Sequence, residues 1–126
     1  MAVYAFTKRD FTKNTWSIIY GGSNEFAVTS IQMANRSEQA IQFAIVTSNS
    51  ANLVDGANSV HAGNGELNKA NTNSVLYEDS IPANQYAYWD NDAGGKILTP
   101  AGMKLAITVN GAANSDLEFT LFGLEL

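Results

Sequence analysis

Residues 97–126 read ILTPAGMKLAITVNGAANSDLEFTLFGLEL, and this stretch decides the fold class. Within it, Leu105, Ile107 and Val109 alternate with Lys104, Ala106 and Thr108. A side-chain period of two is that of a strand with one face buried and the other turned away from the core. Asn110-Gly111 follows, two residues that tolerate positive φ and mark a reversal, here lengthened into a loop by Ala112–Asp116. The closing run places Leu117, Phe119 and Leu121 on one face and Phe122, Leu124 and Leu126 on the other. A terminal strand apolar on both faces is either central in a sheet or covered by another polypeptide.

The same texture continues toward the N-terminus. Thr15–Tyr20, Glu25–Ala34, Ala40–Thr47, Ser74–Ile81 and Gln85–Asp90 are rich in β-branched or aromatic residues and bounded by Gly, Asn, Ser or Pro. Val3–Thr7 reads as a short edge strand, and Phe11 as a plug reaching the core from a polar connection. No amphipathic helix of useful length lies between the runs. The pattern predicts one all-β domain over residues 1–126, an antiparallel β-sandwich, jelly-roll-like, with about seven to nine strands. Trp16, Ile18 and Tyr20 share a parity and are expected to line one sheet face, as are Val75 and Tyr77. In Glu25–Ala34 the inward parity changes from Phe26 and Val28 to Ile31 and Met33, which predicts a β-bulge near Thr29-Ser30. Residues 48–73 break the rhythm, with only Leu53, Val54, Val60 and Leu67 to bury. They are expected to form a long excursion, with a short strand or helical turn near Glu66–Ala70.

Composition narrows the function classes. The 126 residues carry a net charge of −5, 15% charged side chains and no cysteine. Seven scattered Lys and Arg residues, clustered only at Lys8-Arg9 and Lys13, offer no positive stripe to displace counterions, so nucleic acid is not an expected partner. The lack of cysteine excludes disulfides and thiolate metal sites. Met1-Ala2-Val3-Tyr4 has neither a basic leader nor a long apolar segment, and no run approaches the roughly 20 apolar residues of a helical membrane span. A surface of small neutral polar groups costs less to desolvate than one of Lys and Glu, which favours packing against other chains.

Catalytic constellations are sparse. His61 is the only histidine, and a triad, a zinc site or a proton relay needs more support than one imidazole in an irregular loop. Asp90-Asn91-Asp92-Ala93-Gly94-Gly95 begins like a calcium loop, but Lys96 and Ile97 stand where a bidentate glutamate belongs, so a plain turn is the better reading. Glu78, Asp79, Asp90 and Asp92 are candidates for a paired-carboxylate hydrolase only in the sense that any acidic chain supplies such groups. Tyr86, Tyr88 and Trp89 are close enough to form a sugar-stacking platform. The plainer reading has Tyr86 and Tyr88 in the core and Trp89 at a corner. No phosphate-binding glycine loop is present. The expectation is a non-enzymatic protein with no cofactor and no metal.

Three stretches carry a family resemblance. FAVTSIQMANRS at residues 26–37, SIPAN at 80–84 and ILTPAGMKLAITVN at 97–110, with Leu117–Leu124 as closing strand, resemble in order the small β-sandwich structural proteins of tailed-bacteriophage virions. Met103 stands where such proteins often carry Asp or Glu, and the excursion at 48–73 is longer than their usual hairpin. The resemblance implies a structural role with no catalytic residues to transfer: an accessory oligomeric module, bound to capsid as a decoration (cement) protein or to tail, neck or baseplate. Its partners would be other virion subunits and copies of itself, and its location a virion assembled in the host cytoplasm. Trp89, Phe122, Leu124 and Leu126 are the candidate contact residues. The alternative is a carbohydrate-binding β-sandwich acting in receptor recognition.

Overall fold

A computed structural model describes residues 2–61, 66–68, 71–90, 97–111 and 116–126. Their strands are β1 (Ala2–Lys8), β2 (Trp16–Tyr20), β3 (Phe26–Asn35), β4 (Ile41–Ser48), β5 (Ser74–Ile81), β6 (Tyr86–Asp90), β7 (Ile97–Thr99), β8 (Lys104–Gly111) and β9 (Leu117–Glu125). One sheet runs β1-β9-β3-β6, with the short β7 also paired to β3, and the other runs β2-β8-β4-β5. Every pairing is antiparallel. Most connections cross between the sheets, so each sheet mixes strands from both ends of the chain. This interleaved order is that of a jelly roll. The run of strands bounded by turn residues thus folds as its period requires.

The interior lies between the sheets. β3 contributes Phe26, Val28, Ile31 and Met33, β9 contributes Leu117, Phe119 and Leu121, and Leu105, Ile107 and Val109 of β8 face them from the other sheet. Phe11 joins this core edge-on to Phe119, at 6.3 Å between ring centroids. Tyr20 stacks on Phe26 at 4.4 Å, and Tyr4 meets both rings edge-on. Offset stacking and edge-to-face contact are the arrangements that ring quadrupoles favour. The register of β3 on β9 slips between Val28 and Ser30, so the parity change read from the sequence is a bulge at Thr29. Thr29 donates its hydroxyl to the Phe122 carbonyl at 3.0 Å.

Two parity expectations fail, both at bulges. Between Ile18 and Tyr20 the β2–β8 register slips, which sends Tyr20 and Ile19 into the inter-sheet core while Trp16 and Ile18 face outward. The β4–β5 register slips between Ile45 and Val46, opposite Leu76. Tyr77 therefore packs edge-on against Phe43, while Val75 is exposed beside Val46. An extra residue in one strand reverses every later side chain.

Trp16 does not face solvent. It joins Val46, Ala106 and Leu53 in a second small core on the outer side of the β2-β8-β4-β5 sheet. The segment after β4 supplies the roof. Trp16 and Ala57 are joined through the Trp16 amide at 2.9 Å, Gly56 donates back to Trp16 at 2.9 Å, and Ser59 donates to Asn14 at 2.9 Å. Asp55 accepts from the Ile18 amide at 2.7 Å, and the Lys104 ammonium donates to the Leu53 carbonyl at 2.7 Å. The bonds to Trp16 and Ile18 satisfy backbone groups along the free edge of β2 that burial would otherwise leave unpaired. Of the short strand or helical turn expected near Glu66–Ala70, Leu67 forms a single bridge with Val60, and residues 69 and 70 lie outside the described set.

Candidate docking surface

The two sheets differ in what covers their outer faces. One is roofed by the chain's own loop; over the other, nothing is packed among the described residues. On the bare face the strand registers align side chains in rows across β1, β9, β3 and the edge strands. Val3, Leu124, Ala27 and Leu98 form one row. Ala5, Phe122, Ser30 and Asp90 form the next, and Thr7, Thr120, Gln32 and Tyr88 a third. Glu118, Ala34 and Tyr86 make a fourth. The face is therefore graded, with an aliphatic end and a polar, aromatic end.

Exposure follows the rows. Val3 is 83% exposed, Leu98 50% and Phe122 39%, while Leu124 is half-buried between Val3 and Ala27. Leu126, just past β9, is 49% exposed and tied down by donating its amide to the Glu25 carbonyl at 2.8 Å. Three of the four candidate contact residues thus reach the surface on or beside one face. Trp89 does not. It pairs with Ile31 and is 9% exposed, pointing into the interior with Ala87.

That orientation overturns the plainer reading of the aromatic cluster. Tyr86 is 76% exposed and Tyr88 59%, so the tyrosines stand outside and the tryptophan packs inside. The signal was in the sequence: Ala87 and Trp89 share one parity of β6 and the tyrosines share the other. Residues two apart on a strand stand about 6.5–7 Å from each other on one face.

Charge is sparse on this face. Arg36 donates to the Glu118 carboxylate across the polar end. That hydrogen bond holds the Glu118 carboxyl below its ordinary value and raises the Arg36 guanidinium. At the other end, Tyr20 donates its hydroxyl to the Glu125 carboxylate at 2.8 Å, and Asn24 donates to the same oxygen at 3.2 Å. Desolvation first, and then Glu125, push the Tyr20 phenol upward. Such bonds fix the end of β9 beside β2 and hold the aliphatic rows in place.

Positioning depends on two local devices. Gly123 lies where β9 passes over Phe26; a Cβ there would come within 2.3 Å of the Phe26 ring and 2.7 Å of the Ala27 carbonyl. Asn35, fully enclosed at the end of β3, donates to the Gln39 and Ile81 carbonyls at 2.8 and 2.9 Å and accepts from the Ser37 amide at 2.9 Å. It pins the turn after β3 to the corner between β5 and β6, and so sets where the tyrosines stand.

The remaining chemical candidates do not converge. His61 is exposed, with its backbone amide on the Glu66 carbonyl at 2.8 Å. Glu78 and Asp79 are exposed on β5, Asp90 ends β6 in the other sheet, and Asp92 lies with the calcium-like stretch outside the described residues. Among the described residues, no group of three or more His, Asp or Glu side chains is placed to hold a metal. No helix there is long and apolar enough to cross a membrane. No protein-family model matches the chain, and no curated protein resembles it significantly.

Proposed function

We propose that this protein is a non-catalytic docking module, an accessory structural component of a tailed-phage virion that associates with its own copies and with capsid or tail subunits. The observation that carries the docking half is the asymmetry between the sheets. The chain spends a long loop roofing the apolar outer face of β2-β8-β4-β5, yet leaves Val3, Leu98 and Phe122 exposed on the other sheet, with Leu124 half-buried between them. Contiguous exposed apolar surface on a soluble domain marks an interaction site. The virion half is supported by the resemblance of residues 26–37, 80–84, 97–110 and 117–124 to phage β-sandwich proteins. Symmetric repetition would multiply a modest patch into a durable attachment.

The test is the double substitution Phe122→Ser with Leu124→Ser. Self-association measured by sedimentation, and incorporation into purified particles measured by mass spectrometry, are expected to be lost while circular dichroism stays β-rich. A variant that assembles like the parent would refute the assignment.

The exposure of Tyr86 and Tyr88 favours a second reading, in which the polar end of the same face stacks on a host saccharide during receptor recognition. Tyr86→Ala with Tyr88→Ala separates the two. Loss of polysaccharide binding with assembly intact supports recognition; loss of assembly alone supports docking.

A further inference from the structure

The loop that roofs the β2-β8-β4-β5 sheet does not cover all of it. Beyond the Trp16–Leu53 cluster an open cleft of about 300 Å³ remains between loop and sheet. Val60 and Leu67, joined to each other by a bridge, give it an apolar wall. Gln42 of β4 and Asn110 of β8 lie on its sheet side, with the Thr108 hydroxyl held by Ser59. β5 adds Ser80 and the exposed carboxylates of Glu78 and Asp79.

Asn14 closes the cleft. Its backbone is fixed at φ 59°, with the amide donating to the Val109 carbonyl at 2.9 Å and the carbonyl accepting from Ser59 at 2.9 Å.

The chemistry of the lining selects a ligand class. Three carboxamides, Asn14, Gln42 and Asn110, each offer a donor and an acceptor, and hydroxyls do the same. No Lys, Arg or His side chain is among the described residues lining the cleft, so an anion finds no counter-charge there. The volume is at the small end of the range for ligand pockets. We propose that this cleft binds a neutral polyhydroxylated ligand of one or two sugar rings, its hydroxyls exchanging hydrogen bonds with the carboxamides of Gln42 and Asn110 and the C–H face of a ring lying on Val60 and Leu67. The site is on the sheet opposite the docking face and is independent of Tyr86 and Tyr88.

The experiment uses the full chain, isotopically labelled for NMR and titrated with glucose, galactose, mannose, N-acetylglucosamine, maltose and lactose. At least one sugar is expected to give saturable shifts at the side-chain amides of Asn14, Gln42 and Asn110. Gln42→Ala, at an exposed position, is expected to weaken that binding about fivefold, the value of one hydrogen bond. Glu78→Gln, which keeps a polar group of the same shape, is expected to leave affinity within about twofold, as for a ligand bound without charge. No saturable shift at these amides from any of the six sugars overturns the proposal. So do shifts confined to Tyr86 and Tyr88, and so does loss of binding in Glu78→Gln, which would show that a carboxylate rather than the carboxamides holds the sugar.

Discussion

Leu53→Ala tests whether the long loop is a structural roof. Leu53 is wholly buried in a cluster with Trp16, Val46 and Ala106, and its carbonyl also holds the Lys104 ammonium. Truncating a fully buried leucine costs about 2–4 kcal/mol, the sum of lost transfer energy and the cavity left behind. Unfolding entropy of about 2.1 cal/mol/K per residue, applied to a domain of this length, makes that a fall in Tm of roughly 8–15 °C. The matched control is Phe122→Ser on the bare sheet, where a substitution away from the core is expected to change stability by no more than about 1 kcal/mol. Thermal melts of the dilute protein measure both. Hydrogen exchange adds a local reading: the amides of Trp16, Gly56 and Ser59, bonded between loop and sheet edge, are expected to lose protection in Leu53→Ala before the β8 and β9 amides do. Equal melts for Leu53→Ala and the parent would refute the roof. A melt for Phe122→Ser as low as that of Leu53→Ala would place Phe122 in the monomer's core and remove the difference between the sheets.

Other substitutions test the devices that hold the face in register. Gly123→Ala places a Cβ against the enclosed Phe26 ring and the Ala27 backbone, and such overpacking is expected to cost about 1–3 kcal/mol in denaturant melts; an unchanged midpoint would show that β9 does not pass so close. Asn35→Ala strands several buried backbone groups at once and is expected to destabilise by more than about 2 kcal/mol, and Asn35→Asp, which sets a buried carboxylate oxygen against the Gln39 and Ile81 carbonyls, is expected to destabilise at least as much at neutral pH. The Arg36–Glu118 pair predicts an acid effect of definite sign. The folded carboxyl titrates below its ordinary value near 4.5, so the pair's contribution is complete above that value and disappears as pH falls through the folded pKa. The Tm difference between parent and Glu118→Gln is therefore expected to close in acid; a difference that persists unchanged would mean the pair contributes nothing through charge.

Much of the fold was legible because strands advertise themselves by alternation. β4 and β8 alternate without interruption along their core-facing halves, and their expected faces match the structure. The β3 bulge was readable too, since the apolar set itself changes parity across Thr29. Where the reading failed, an inserted residue was flanked by side chains apolar on both faces. Trp16 and Ile18 are as apolar as Ile19 and Tyr20, so nothing in β2 marked which set faced the inter-sheet core. The roof over Trp16 comes from a segment more than thirty residues away, and no local period reports that contact. The open face of β1-β9-β3-β6 was half legible. Phe122 and Leu124 stood out as surplus apolar residues on a strand already apolar on its inner face. Val3 and Leu98 did not, because their place beside Leu124 depends on the registers of three strand pairs. The cleft was not legible at all: its amides come from separate elements, and Asn, Gln and Ser are common throughout this chain.

Hydroxyl-radical footprinting by mass spectrometry, comparing the assembled protein with the same protein diluted to monomer, measures most directly which face meets a partner. Assembly is expected to protect Val3, Leu98, Phe122 and Leu124 and to leave Val54 and His61, on the loop over the other sheet, as reactive as before. Protection falling on that loop, or no change at the bare face, would contradict the claim that the open outer surface of β1-β9-β3-β6 is where this protein binds.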